Sequence, residues 1–245
     1  MPSPPNDSAP PGTRDFHTTR WSVVLSAQGD TTGAETALAK LCATYWYPLY
    51  AFVRRQGHGP HDAQDLTQEF FARLLAKGWL ADVARERGKF RSWLLASAKH
   101  FLANEWDRAK AIKRGGRTTL VSFDDDSAEM RYRQEPADIA SPEILFDRRW
   151  ALTLLDQVLA RLREEMVAAD KLAHFDALKF CLTGEKTAHA DVAAQLGMTE
   201  GAVKVAVHRL RERYRAVLRA EIAETVATPA EIDGELRHLL AALSA

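Results

Sequence analysis

The chain has 245 residues, of which 46% are hydrophobic, so it can form one large domain or two small ones and is too apolar to be disordered throughout. It carries 33 Lys and Arg against 33 Asp and Glu. This zero net charge excludes a global basic field, so any contact with nucleic acid has to come from local clusters. Two distant cysteines, Cys42 and Cys181, exclude a disulfide framework and favour core thiols in a reducing compartment.

The amino-terminal segment lacks the order of basic and then apolar residues that marks a signal peptide, and it is rich in proline and serine. No apolar run in the chain reaches the roughly 18 residues that a membrane-spanning helix needs. We therefore expect a disordered tail at 1–16, followed by a cytoplasmic protein that has no membrane partner.

Helical periodicity governs the first half of the chain. Apolar residues recur at steps of three and four from Ala34, which predicts a first helix with the stripe Leu38, Leu41, Tyr45, Leu49 and Phe52. A second helix is predicted from about Pro60 to Lys77, with Asp62, Asp65 and Glu69 on a face beside its apolar stripe. A loop over 78–91 and a third helix from about Ser92 to Lys113 follow.

The middle of the chain changes in composition. Residues 121–147 hold eight acids against Arg131 and Arg133, and prolines interrupt them, which indicates an acidic linker. Helical periodicity returns near Ile144, and no alternation typical of a strand lasts more than a few residues. The predicted class is all-α, with small helical domains at 17–117 and 144–220, a linker at 118–143, and a carboxyl-terminal extension at 221–245 that contains a short helix.

The second domain contains a strong helix-turn-helix pattern after Asp191. Gly197 can adopt the left-handed conformation that ends a helix, and Thr199 is a favourable N-cap for the helix that follows it. Ala193 is small where two helices would cross closely. These three features favour a DNA-reading unit over an ordinary solvated amphipathic helix, which was the alternative interpretation of the basic face.

The second helix of this unit would place one face in the major groove of DNA. First-turn residues can reach base edges there, and later arginines lie where phosphates would be. The candidate DNA-binding residues are Thr199, Glu200, Gly201, Lys204, Val205, His208, Arg209, Arg211 and Arg215.

Motifs for catalysis are missing from the sequence. It has no glycine-rich phosphate loop, no nucleophile elbow and no paired metal ligands, and His58 and His61 are best explained as polar loop residues. We therefore expect no enzymatic activity, no metal and no cofactor.

Three stretches, in this order, resemble the extracytoplasmic-function sigma factors of bacterial RNA polymerase. They are Asp62-Ala-Gln-Asp-Leu-Thr-Gln-Glu-Phe70, Phe90-Arg-Ser-Trp-Leu94, and Gly197-Met-Thr-Glu-Gly-Ala-Val-Lys204 with His208-Arg-Leu-Arg211. The resemblance covers about residues 20–220. It implies helical domains of the region 2 and region 4 types. It also implies an alternative sigma factor that binds core RNA polymerase and directs promoter recognition and transcription initiation.

The resemblance also assigns roles to residues. The polymerase-binding residues would be Asp62, Gln64, Asp65, Gln68 and Glu69, which would grip the β′ clamp helices, while the β flap would be a second contact. The helix at 199–215 would read the −35 element. The −10 region would be bound by Trp79, Arg87, Lys89, Phe90, Arg91, Lys99, His100, Arg108, Lys110 and Lys113, a set that offers the positive charge and stacking surface that single-stranded DNA requires.

Some positions depart from the family pattern. Gln64 stands where the family usually has glutamate, and Lys113-Arg-Gly-Gly116 resembles a subgroup often encoded beside serine/threonine protein kinases. A kinase or an anti-sigma factor is therefore a candidate regulatory partner. Phosphorylation of Thr67 would restore the missing negative charge, although Thr67 lies at the edge of the apolar stripe.

Two other functions remain open at this stage. A helix-turn-helix regulator that acts without polymerase would have no need for the acidic helix and the aromatic, basic loop of the first domain. An interaction adaptor would not lose DNA binding when the basic face is altered. The extension has two possible positions, since 231–243 could cap the second domain or fold back on the first and hold the protein inactive.

Overall fold

The computed structural model describes residues 32–75, 89–111, 125–136, 141–182, 189–226 and 228–244. Within these ranges all regular structure is helical, which confirms the predicted all-α class. The helices are α1 (Thr32–Arg55), α2 (Pro60–Leu75), α3 (Phe90–Ala111), α4 (Asp125–Arg133), α5 (Pro142–Ala168), α6 (Leu172–Leu178), α7 (His189–Leu196), α8 (Glu200–Ala223) and α9 (Ile232–Ser244). Two short 3-10 helices, Lys179–Cys181 and Pro229–Glu231, follow α6 and precede α9.

Local sequence signals set several helix ends. Gly57, with φ of +98°, follows α1, and Pro60 opens α2. Ser141 caps α5, because its hydroxyl oxygen accepts the amide hydrogen of Glu143 at 3.2 Å. These turns were predictable because each depends on residues next to it in the chain.

The first hydrophobic core lies among α1, α2, α3 and the amino-terminal half of α5, and we call it the front core. Tyr45 is fully buried near its centre. The Tyr45 ring meets Phe90 edge-on at 5.0 Å between centroids and stacks with Phe146 at 6.4 Å. This confirms the inward-facing stripe at Tyr45, Leu49 and Phe52, while Leu38 and Leu41 lie outside the described side chains.

The second hydrophobic core, the rear core, is formed by α6, α7 and parts of α5 and α8. Its buried members include Leu162, Phe175, Val192 and Val207. Helices α5 and α8 supply residues to both cores, because Trp150 and Ile222 belong to the front core. The boundary predicted at residue 144 therefore lies inside α5, and the amino-terminal half of this helix packs on the front core.

The segment predicted as an acidic linker contains α4, which is docked on α1. Glu129 accepts hydrogen bonds from the Tyr50 hydroxyl at 2.7 Å and from Arg54 Nε at 2.9 Å. Glu135 accepts another from the Tyr47 hydroxyl at 2.6 Å and also pairs with Arg149. Two linker carboxylates are thus held by partners on the helices around them, an outcome that composition alone did not indicate.

The carboxyl-terminal helix α9 packs on the front core. Leu239 and Ala242 are buried in that core, together with Ile222 at the end of α8 and Val226 just beyond it. Helix α9 also packs on α5 and α8 and pairs with Lys89 and Arg91 at the start of α3, so the extension lies where the two predicted domains meet and not on one of them alone.

Both cysteines are free thiols. Cys181 is buried and Cys42 is half-buried, where burial raises the pKa of the Cys42 thiol to about 12. Among the helices that the structure describes, none is long and apolar enough to cross a lipid bilayer.

Replacing Glu129 with alanine tests the docking of α4. The change leaves Arg54 and the Tyr50 hydroxyl without their carboxylate, so we expect the free energy of unfolding to fall by about 2 kcal/mol in urea denaturation. Arg133→Ala is the control, because Arg133 approaches Glu129 only at 3.4 Å and its side chain is 76% exposed. We expect the control to change stability by less than about 0.5 kcal/mol, and equal losses would contradict the docking.

Replacing Gly197 with alanine tests the turn between α7 and α8. Gly197 has φ of +63°, and a Cβ added there would meet no atom within 4 Å, so its cost is purely conformational. We expect a loss of about 1 kcal/mol in thermal or urea unfolding. Gly201→Ala, in the first turn of α8, should be neutral or stabilising by up to about 1 kcal/mol. A stability unchanged by Gly197→Ala would contradict the left-handed turn.

Candidate nucleic-acid interface

The helix-turn-helix forms as the sequence predicted. Met198 N–H donates to the Ala193 carbonyl at 2.9 Å, which closes the turn around Gly197. The Thr199 hydroxyl oxygen accepts the amide hydrogen of Ala202 at 3.2 Å and so caps α8. Ala193 is buried at the crossing with Val203. Local hydrogen bonds and tight packing thus hold α8 at a defined angle to α7.

All nine residues predicted on the reading helix are exposed, while Val203, Val207 and Leu210 between them are buried. The apolar side chain of Val205 is also 51% exposed on this surface. We call this surface of α8 the reading face. Its residues are Thr199, Glu200, Gly201, Lys204, Val205, His208, Arg209, Arg211 and Arg215.

Charges along α8 divide into engaged and accessible groups. Arg213 binds Glu165 of α5 with two hydrogen bonds of 2.7 Å, and the bond lowers the pKa of the Glu165 carboxyl. Arg211 donates to the Cys181 carbonyl at 2.8 Å. Within the described part of the chain, Lys204 and Arg215 have no ion pair. The accessible positive charge of α8 therefore lies on the reading face.

The predicted −10 residues are placed less uniformly. Lys99 and His100 are exposed on α3, and Lys99 Nζ binds Glu143 Oε1 at 2.6 Å. Hydrogen bonds from Lys99 and Ser141 lower the pKa of the Glu143 carboxyl to about 2. Trp79, Arg87 and Lys113, as well as the side chains of Arg108 and Lys110, lie outside the residues that the structure describes.

The prediction that Phe90 and Arg91 belong to an exposed loop is wrong. Helix α3 begins at Phe90, whose ring is fully buried against Tyr45 and Trp93. Arg91 is 6% exposed and is held by the carboxylates of Glu235 and Asp147. In this conformation neither side chain can reach DNA.

The acidic helix α2 presents a narrower face than predicted. Asp62 and Asp65 are exposed, and Glu69 is half-buried and bonded to Arg73 at 2.8 Å. Gln68 is half-buried, whereas Gln64 is only 9% exposed. Gln64 turns into the packing because it lies about 160° around the helix from Asp62. Its prediction as a surface contact is therefore wrong for this conformation.

Thr67 is buried, which bears on its proposed phosphorylation. It has no exposed surface, and its hydroxyl donates to the Ala63 carbonyl at 2.7 Å. A phosphate would bring about two negative charges into an apolar interface. Phosphorylation at Thr67 is therefore incompatible with the packed arrangement of α2.

Sequence reasoning missed a charged cluster between the first domain and the extension. Glu235 Oε2 lies 2.7 Å from Lys89 Nζ, and Glu235 Oε1 lies 3.0 Å from Arg91 Nε. Asp147 accepts from Arg91 Nη1 at 2.5 Å and contacts His238 Nε2 at 2.9 Å. One signal was present, because helical spacing places Glu235 inside the apolar stripe of α9. A carboxylate there requires a buried cation.

Among the described residues, no group of three or more His, Cys, Asp and Glu side chains is placed to hold a metal ion. The arrangement offers surfaces for macromolecules: an exposed pair of aspartates on α2 and a basic reading face on α8.

Comparison with known proteins places the chain in a family. Residues 44–112 match the family of Sigma-70 region 2. This range covers the second half of α1 and all of α2 and α3. The chain is 25% identical over 199 residues to the ECF RNA polymerase sigma factor SigE of Mycolicibacterium smegmatis, covering 80% of this chain and 68% of that protein. It is 30% identical over 168 residues to the ECF RNA polymerase sigma factor SigF of Caulobacter vibrioides, covering 67% of this chain and 77% of that protein. No solved structure matches it significantly. Given these relatives, the chain belongs to the extracytoplasmic-function (ECF) sigma factors of bacterial RNA polymerase.

Proposed function

We propose that this sigma factor joins core RNA polymerase through α2 and positions it on promoters by placing α8 in the major groove of the −35 element. The observation that carries the proposal is the reading face, whose nine residues all lie at the surface of one helix fixed by a capped turn. A helix presented in this way fits the groove, and its first turn reaches base edges.

The acidic part of α2 supplies the polymerase contact in this proposal. The family resemblance implies basic clamp helices on the β′ subunit, which would attract the exposed carboxylates of Asp62 and Asp65. The pair lies on one face, about 60° apart around the helix axis. Glu69 adds a third carboxylate on the same side once Arg73 is displaced.

Contacts with the −10 region would come from α3. Lys99 and His100 lie one residue apart on its exposed surface and suit contacts with the DNA backbone. We place the protein in the cytoplasm with the polymerase, acting as a regulator without enzymatic activity. The β flap, a kinase and an anti-sigma factor remain predicted partners, but the buried hydroxyl of Thr67 gives no support to phosphorylation there.

Loss of one cation from the reading face should weaken promoter binding and make the binding affinity less dependent on salt concentration. With reconstituted holoenzyme and a promoter upstream of the gene, we expect Lys204→Ala and Arg215→Ala each to lower the slope of log affinity against log salt by about one. Arg213→Ala is the matched control, because it removes the same charge from the same helix but from a side chain already bound to Glu165. Its salt slope should remain that of the parent.

The same assay distinguishes the competing functions. Protection of the −35 element by the holoenzyme, together with run-off transcripts, supports the proposal. A dimer that binds operator DNA tightly and ignores core polymerase would indicate a stand-alone regulator. Unchanged DNA binding in both reading-face variants would indicate an adaptor.

Neutralising Asp65 should weaken the polymerase contact. Its side chain is 61% exposed, so Asp65→Asn removes a surface charge without disturbing the core. We expect lower affinity for core polymerase and slower association, because complementary charge mainly accelerates encounter. Glu164→Gln, at an exposed position of α5, is the control for loss of one negative charge. Stopped-flow fluorescence measures both rates, and identical association of the two variants would reject α2 as the contact.

A further inference from the structure

The carboxyl-terminal helix α9 is fastened to the start of α3 by buried charges. Glu235 is 1% exposed, yet both of its carboxylate oxygens are engaged, one by Lys89 at 2.7 Å and the other by Arg91 at 3.0 Å. A Cβ added at Gly234 would lie 3.7 Å from Lys89 Nζ, so the backbone of α9 also runs close to this cation.

A second carboxylate completes the cluster from α5. Asp147 binds Arg91 at 2.5 Å and His238 at 2.9 Å, so it joins α3 to α9. The Arg91 guanidinium lies over the Trp150 ring at 5.0 Å from its centroid. Burial lowers the pKa of Arg91, but the carboxylates of Glu235 and Asp147 outweigh this effect and raise it. Arg91 is therefore a charged group sequestered inside the protein.

A backbone hydrogen bond next to this charged cluster connects the start of α3 with the segment that follows α8. Phe90 N–H donates to the Thr225 carbonyl at 3.1 Å, just beyond the end of α8. Ile222 and Val226 are buried in the front core beside α9. The end of the reading helix, the extension and the start of α3 therefore form one continuous contact between the two domains.

The cations in this contact are those expected to meet DNA. Lys89 and Arg91 lie at the start of α3, the helix that follows the predicted −10 loop. In this structure they form ion pairs with Glu235 and Asp147. A phosphate and a carboxylate offer these side chains the same bidentate or charge-assisted hydrogen bonds. The carboxylates of α9 and α5 and the backbone of DNA therefore compete for the same two groups.

The buried ion pairs between α9 and the start of α3 contribute little net stability, which allows this contact to open. Desolvation of a buried ion pair costs about as much as the pair gains, so such a pair adds little net stability. Removing one partner is costly, because it leaves the other charge buried without compensation. Binding of another anion by Lys89 and Arg91 therefore removes the charged part of the contact and leaves only the apolar burial of residues such as Leu239 and Ala242 to hold α9 closed.

We propose that α9 is an autoinhibitory latch, which occupies Lys89 and Arg91 through Glu235, holds the two domains together, and is displaced when these cations bind DNA. The proposal rests on the proposed function only in taking the start of α3 as a DNA-contacting segment. It adds a control that is built into the chain and requires no second protein.

Neutralising Glu235 should release the latch and increase DNA binding. The probe is a fluorescein-labelled oligothymidylate, and the measurement is its anisotropy with the free, full-length chain. The affinity of a protein that binds only when open scales with its open fraction, so we expect Glu235→Gln to bind about tenfold more tightly than the parent. A purely structural α9 would give unchanged or weaker binding.

Asp233→Asn is the matched control. It removes one negative charge from the same turn of α9, but Asp233 is 65% exposed and pairs with the exposed Arg219. We expect its affinity to equal that of the parent. Adding Lys89→Ala to Glu235→Gln should remove most of the gain, because the released cation is then missing. A gain that survives Lys89→Ala would overturn the assignment of this cation.

Hydrogen exchange measures the opening itself. Amides of 232–244 should exchange at least several-fold faster in Glu235→Gln than in Asp233→Asn, and oligothymidylate should accelerate their exchange in the parent chain. Continued protection of α9 in the DNA complex would overturn the latch. If circular dichroism shows that Glu235→Gln does not fold, His238→Ala replaces it, with an expected gain of about threefold, since it removes the contact of α9 with Asp147 while Asp147 keeps Arg91 as a partner.

The two proposals can fail separately. Normal holoenzyme transcription with no gain in Glu235→Gln would reject the latch and leave the function intact. A gain in DNA binding by a chain that ignores core polymerase would reject the function and leave the latch.

Discussion

Two long helices determine how everything else is placed. With 27 and 24 residues, α5 and α8 are about 40 Å and 36 Å long, enough to cross from one core to the other. Each buries side chains at both ends, so neither domain can turn without breaking apolar contacts in the front core or the rear core. The orientation of the reading face relative to the acidic helix α2 is therefore a property of the front core.

Although the net charge is zero, some charged side chains are paired inside the protein while others remain at the surface, where a partner can reach them. Among the described acids of the segment predicted as a linker, Glu129 and Glu135 are engaged inside the protein, where they bind phenols and arginines of the surrounding helices. Asp62 and Asp65 remain at the surface of α2, and the accessible cations of α8 lie on its reading face. Composition counts all of these equally, whereas burial decides which of them a partner can meet.

The features that the sequence predicted are those set by near neighbours. Helical periodicity located most of the helices, though not α4, and the turn at Gly197 with its cap at Thr199 depends on bonds between residues at most five positions apart. Exposure of the reading face followed from the same periodicity, because Val203 and Val207 had to face inward. Such patterns are short-range, so a single sequence carries them in full.

The features that were missed depend on distant partners. Arg91 and Glu235 are 144 positions apart, and Arg54 and Glu129 are 75 apart. Arg91, beside Phe90 in the predicted loop, was expected to contact DNA, because the carboxylates that bind it lie 56 and 144 positions away in the chain. The prediction that Gln64 contacts the polymerase was wrong for a related reason. The family motif gives its position in the helix, but it does not show which face of that helix packs inward.

Taken together, the proposed function and the proposed latch imply an order for promoter recognition. The reading face is exposed while α9 is docked, so the proposed contact of α8 with the −35 element needs no opening of the latch. Lys89 and Arg91 become available only after Glu235 leaves them. Binding at the first site can favour this opening only through contacts that differ between the closed and open states. The end of α8 can supply such contacts, because α8 is the helix proposed to read DNA and its Ile222, with Val226 just beyond the helix, is buried beside the latch.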